Sequence, residues 1–285
     1  MNPLDWFKGK PDLVPEASPP TPEVPAGHGR RLPLDRSAMF DVERTPTLRA
    51  LLDRDRDERD PSWSNAFWEN AWTASISISA SPIFIGPDGF PYLRLDIPNP
   101  GPFDSQCLAN LASNCLDNLT GAAFFRSPDE PPEAAAFVAS LGVIDSLLRY
   151  DSPDGDPIDV AERREGDDPN LVRKVDGQLI VEREHQVLYG APSADFLSKP
   201  QTRSLHRHLT QGWKIDNPRV GLMVSHALRP SRNLVIGRKR SEFAADEPID
   251  AMANALMWNL NPGRAIILQP EDMPSSDLVE LSSLA

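Results

Sequence analysis

The chain lacks the short motifs that mark a nucleotide site or a hydrolase. It has neither a Gly-x-x-x-x-Gly-Lys-Ser/Thr loop nor a Gly-x-Gly-x-x-Gly turn, so no glycine-rich backbone cradle for phosphates is encoded. No Gly-x-Ser-x-Gly elbow occurs that would lift a nucleophilic serine out of a strand-to-helix turn. Cysteine is scarce, with only Cys107 and Cys115. Two cysteines by themselves make neither a disulfide scaffold nor a zinc site. They fall in one segment that reads as helix, where a rise of ~1.5 Å per residue sets their Cα atoms roughly 12 Å apart. That exceeds disulfide reach. Two buried free thiols are expected, which suits a reducing compartment. Their place on an apolar stripe disfavours a reactive thiolate.

Long apolar runs are missing too. No stretch approaches the ~18 residues of a membrane span. The start, Met1 to Lys8, does not have the basic-then-apolar order of a secretory signal. The expectation is a soluble, cytoplasmic protein. Positive charge is in deficit: 29 Lys and Arg against 42 Asp and Glu leave a net charge of −13. Such a surface repels phosphate backbones and anionic headgroups, so neither nucleic acid nor a membrane is expected as partner. The densest basic run, Arg238-Lys239-Arg240 with Arg229 and Arg232 nearby, reads as a solvated turn after a strand.

What the chain has in excess is proline, 30 of 285 residues, about twice the usual ~5 %. The prolines mark boundaries. The segment from Pro11 to Pro33 has few large apolar residues and cannot offset its ordering entropy by burial. Residues 1–38 are therefore read as a disordered Pro-rich arm. Within the arm, Pro19-Pro20-Thr21-Pro22 has polyproline II character. Residues 39–151 form a first α+β lobe, 152–170 an acidic Pro- and Gly-rich linker or loop, and 171–285 a second α+β lobe.

Hydrophobic periodicity fills in the lobes. Thr45 to Arg59 reads as a helix capped by Thr45, with Leu48, Leu51 and Leu52 as its stripe and Pro61 as its stop. Trp63, Phe67, Trp68 and Trp72 recur at helical spacing, which usually means core. Ser75 to Ser79 and Ile83 to Ile85 alternate as a strand; Phe90 to Ile97 is a second, with Pro91 expected at its edge. A helix capped by Asp104 or Ser105 runs to Leu119 and stops at Gly121. Ala122 to Phe125 is a buried strand. Pro131 to Ala139 reads as a helix, and Val143 to Tyr150 as another. Leu179 to Val181 and Val187 to Tyr189 are short strands. Asp195 to Gln211 is expected to be partly helical. Val220 to Val224 and Leu234 to Ile236 form a hairpin, followed by a helix capped by Asp246, a strand at Ala265 to Leu268 and a polar tail. That last helix points Ile249, Met252, Leu256 and Leu260 at the sheet, with Trp258 off the stripe and part-exposed. The order strand, strand, helix, strand thus occurs from Ser75 to Arg126 and again from Arg219 to Gln269, without residue-level repetition.

Candidate chemistry is thin. Asp151 to Asp159 is acidic enough to suggest a calcium loop. Setting Gly155 at the sixth position, however, places Tyr150 first and Ala161 twelfth, and neither can serve. His206 and His208 are the weak candidates for a metal: two apart, they share a face on a strand but diverge by about 200° on a helix. No catalytic residue, cofactor-binding residue or cofactor is assigned. The Gly155-Asp156-Pro157 turn and the segment from Arg219 to Pro270 loosely resemble bacterial proteins of the SseB type, a likeness that covers a minority of the chain and carries no residue or activity across. The expected role is a non-enzymatic module that binds another protein. The alternative is an enzyme with a dispersed carboxylate and histidine site.

Overall fold

A strand pair, a helix and a returning strand are built twice in this chain. A computed structural model describes residues 40–165, 172–175, 178–181, 186–244, 246–271 and 273–285. The reading of 1–38 as a disordered arm lies outside the described residues. The elements in chain order are α1 (Arg44–Asp53), α2 (Pro61–Ala71), β1 (Ser77–Ile85), β2 (Pro91–Asp96), α3 (Leu108–Asn118), β3 (Gly121–Phe125), β4 (Phe137–Ala139) and α4 (Leu141–Tyr150). They continue with α5 (Pro157–Glu165), β5 (Val172–Val175), β6 (Gln178–Val181), β7 (Val187–Gly190), α6 (Lys199–Gln211), β8 (Arg219–Ser225), β9 (Arg232–Ile236), α7 (Ile249–Leu256), β10 (Ala265–Leu268) and β11 (Val279–Glu280). The fold is α+β with two lobes, each a short mixed sheet with helices packed on it.

The first sheet has the order β1-β2-β3-β4. β1 and β2 are antiparallel, β3 returns parallel to β2 through α3, and β4 pairs antiparallel with β3. Period-two alternation sorts the side chains of β2. Leu93 and Leu95 face a core with Phe67, Leu108 and Phe124, while Tyr92 joins Phe125, Leu141 and Trp258 on the other side. The second sheet follows the order β10-β9-β8-β11, with β7 also on β8. β8 and β9 are antiparallel and β10 returns parallel to β9 through α7. Its main core joins Leu205 and Leu209 of α6, Leu256 of α7, and Val220, Leu234 and Ile236 of the sheet. β5 and β6 form a separate hairpin.

Several local readings are corrected. Pro61 does not end a helix; it opens α2 at the first turn, where its missing N–H costs nothing, and Asp60 caps that helix by accepting from the Trp63 N–H at 2.8 Å. α1 starts at Arg44, and the Thr45 hydroxyl donates to the Ser75 carbonyl instead of capping. Pro91 does lie at the edge of its strand, as the first residue of β2, which is how a central strand tolerates it. The residue that ends α3 is Leu119, in the left-handed region with φ 57°, and Gly121 begins β3. α3 itself starts later than expected, after Cys107. The helix expected over Pro131 to Ala139 is a single 3₁₀ turn at Pro132–Ala134 followed by β4. Residues 157–165 of the acidic linker form α5. Asp246 does not cap α7, which begins at Ile249. The tail holds β11 and a buried Leu281.

Trp258 is the largest departure. It lies on the 3₁₀ turn after α7, buried, with its ring stacked on Phe90 at 4.4 Å and its Nε1–H donating to Tyr92 Oη at 2.8 Å. A side chain of the C-terminal lobe is thus part of the N-terminal lobe's second core. Among the described residues no helix is long and apolar enough to cross a membrane.

Candidate interaction surface

The two candidate histidines both lie on α6. A helix turns 100° per residue, so His206 and His208 diverge by about 200° and cannot share an ion. His208 turns inward and stacks on Phe90 at 5.1 Å, and burial pulls its imidazole below the ordinary histidine range. The pairing of the two on a strand does not occur. Among the described residues no three His, Cys, Asp or Glu side chains come together as metal ligands. Both cysteines are free and buried. Burial raises the Cys107 thiol and pushes Cys115 up to about 12.

The basic run Arg238-Lys239-Arg240 is largely consumed internally. Arg238 donates to the Trp213 and Glu242 carbonyls and lies 4.0 Å over the Phe243 ring. Lys239 donates to the Glu271 carbonyl at 2.6 Å, and Arg240 pairs with Asp250 at 3.0 Å.

The strongest concentration of charge is buried between the lobes. Arg264, fully buried, reaches Asp159 Oδ2 through Nε at 3.0 Å. Its Nη1 donates to the Phe196 carbonyl and to Asn261 Oδ1, and its Nη2 to Tyr150 Oη and the Asp195 carbonyl. Asp159 Oδ1 accepts from Arg232 at 2.6 Å, and Arg232 also reaches Asp156 Oδ2 at 3.2 Å. Burial works against the Asp156 charge, but the Ile158 N–H and the two arginines outweigh it and hold the carboxyl below its ordinary range. Arg232 is likewise desolvated, yet Asp159 and Asp156 raise it above its ordinary value. Asn261 extends the network by donating to Asp145 Oδ2 and accepting from Gln201 Nε2, both at 2.9 Å. Two glycines let the backbone of 260–264 seat here. A Cβ at Gly142 collides with the Leu260 carbonyl, and one at Gly155, where φ is +109°, with that of Pro262. Every N–H of Arg264 has an acceptor, so nothing is left to meet a substrate. The assembly is a structural keystone.

Two shallow grooves open on the surface. One, of about 550 Å³, begins where α6 ends and is lined by Trp213, Ile215, Met252, Lys214, Arg238 and two carboxylates, Glu242 and Glu247. The other, of about 390 Å³, is apolar and is lined by Val42, Pro46, Pro98, Pro100 and Phe103. Arg49 braces its wall by donating to the Pro98 carbonyl at 2.9 Å. Val42 and Phe103 line this second groove and stand 57 % and 41 % exposed. Neither groove contains a histidine or a cysteine.

No known family model, curated protein or solved structure matches this chain. Function must be argued from the surface itself.

One feature of that surface escaped the reading of the sequence. Lys199, Arg203 and Arg207 are spaced four apart on the exposed side of α6, with Lys214 beyond its end. Among the described residues none of the four takes part in an ion pair, unlike Arg44, Arg126, Arg149, Arg232 and Arg264. The signal was present as a helical i, i+4 repeat of cations; attention to the neighbouring histidines hid it.

Proposed function

We propose that this protein is a non-enzymatic module that acts by binding another protein. The apolar groove beside Phe103 carries the reading. Large apolar side chains exposed singly need no explanation, but Val42 and Phe103 together in one shallow groove present a patch for a partner to cover. The contrast with the Arg264 network supports it: there the buried charges are paired off internally and leave nothing for a ligand. The enzyme alternative calls for a pocket where His206, His208 and carboxylates converge, and α6 sends those two side chains apart.

Photo-crosslinking in the native cell tests the proposal. A photoreactive residue at Val42 or Phe103 is expected to give discrete protein adducts, and one at the exposed Asn254 none. Absence of adducts at the groove, or the same diffuse labelling at all three positions, overturns it. Stoichiometric metal in the purified protein favours the enzyme instead.

A further inference from the structure

We propose that the exposed face of α6, together with the groove at its C-terminal end, binds an acidic peptide segment carrying one apolar anchor residue. The inference rests on the interaction-module reading and names a second surface and the chemistry of its partner.

The first support is where the acid is missing. The composition places about three acidic residues in any 20-residue window, yet none falls between Asp195 and Asp216. That window holds Lys199, Arg203, Arg207 and Lys214 in a chain of net charge −13. Within α6 the three cations advance about 6 Å per step along one line, since four residues rise 1.5 Å each. A row of carboxylates on an extended or helical segment matches that spacing. The second support is that the row goes against local electrostatics. Lys199 occupies the first turn of α6, the end where the helix dipole disfavours a cation. Neighbouring like charges at i, i+4 repel each other as well. No carboxylate of the described residues lies within ion-pair distance of the row, which leaves it open to an outside anion.

The groove supplies the rest of the site. It starts at Gly212, directly after the helix, and Trp213, Ile215 and Met252 give it an apolar lining. Two cations and two carboxylates balance at its margin, and Glu247 is turned back to accept from the Ala244 N–H at 2.8 Å. The lining is mixed, with opposite charges at its margin and Trp213, Ile215 and Met252 as its apolar part, against which an uncharged side chain packs; the helix row selects the acidic residues beside it. A phosphate backbone also matches the row, but the whole-molecule charge repels it.

The test is fluorescence anisotropy with the full chain and a labelled peptide of about 18 residues, with Glu at every fourth position and Leu one turn beyond each end of the acidic row. Saturable binding that weakens with salt is expected, with a loss of about tenfold or more in the Arg203→Glu/Arg207→Glu variant. A smaller loss is expected in Arg203→Gln/Arg207→Gln. Both positions are exposed, so circular dichroism should show the fold retained. A peptide with Lys in place of Glu should not bind, and one with Ser in place of Leu should bind more weakly. No saturable binding to the native chain, equal binding by the charge-reversed variant, or tighter binding of a single-stranded oligonucleotide of equal charge overturns the proposal. The crosslinks at Val42 and Phe103 do not depend on α6. If they persist while the peptide fails, the assignment to α6 falls and the module reading stands.

Discussion

The two lobes use the same ββαβ unit and finish it differently. In the N-terminal lobe β4 extends the sheet beside the crossover strand β3, which leaves the hairpin strand β1 at the edge. In the C-terminal lobe β7 and β11 add beside the hairpin strand β8, which leaves the crossover strand β10 at the edge. The cores differ in kind as well. The N-terminal core gathers its rings into one cluster among aliphatic side chains: Phe67 lies 5.1 Å from Trp63, 4.2 Å from Phe137 and 5.4 Å from Phe124. The C-terminal core is mainly aliphatic, from Leu205 to Leu281. A shared topology therefore constrains hydrogen bonding but not the residues that fill it. The two units nevertheless share the keystone at Arg264 and the Trp258–Phe90 stack. Equilibrium unfolding is expected as one transition, despite separate cores in the two lobes.

Breaking the keystone should have the largest effect. Arg264→Met leaves the buried Asp159 with Arg232 alone and strips the donor from Asn261 and the Phe196 carbonyl, and losing one member of a buried charge network costs up to about 3–5 kcal/mol. Denaturant unfolding should show a greatly reduced midpoint or a split into two transitions. A single transition at the native midpoint would remove the keystone from the account. Next, Phe67→Ala should cost about 3–5 kcal/mol and Leu256→Ala about 2–5 kcal/mol, transfer and cavity together. Both should move one common transition; separate shifts in separate transitions would show independent lobes. The His208–Phe90 contact adds a pH dependence. Folding depresses the imidazole's affinity for protons, so its stability contribution is present above the unfolded value, about 6.5, and is lost as the pH falls below it. His208→Gln should flatten that acid limb of the stability profile, and an unchanged limb counts against the contact. The smallest effect belongs to Asn254→Ala, exposed on the outer side of α7, expected within about 0.5 kcal/mol of the native chain. A shift comparable with that of Leu256→Ala would sink the register of the helix.

The repeated unit was legible because each of its parts is local: period-two runs, a 3.6-residue stripe and proline punctuation. The stripe Ile249, Met252, Leu256 and Leu260 does face the C-terminal core. What was not legible depends on distant partners. Trp258 looked peripheral because its complement, Phe90, is far away in sequence. Asp156 and Asp159 read as part of an acidic linker or loop because Arg232 and Arg264, which draw them inside, come much later in the chain. Gly121 looked like a helix stop because glycine is the usual residue there, yet Leu119 adopts the left-handed conformation. The basic row was readable in principle, since i, i+4 spacing is a local pattern. Its lack of partners appears only with the fold in hand.

Both thiols of the chain lie in the N-terminal lobe, Cys107 just before α3 and Cys115 within it, and the C-terminal lobe has none. Each is sealed from solvent, so an alkylating reagent can reach it only after the first core parts. The rate of thiol modification in the native protein is therefore a clock for the opening of one half of the molecule, free of any signal from the other. Set beside amide exchange in β8 and β9, it would time the two halves separately and show which gives way first.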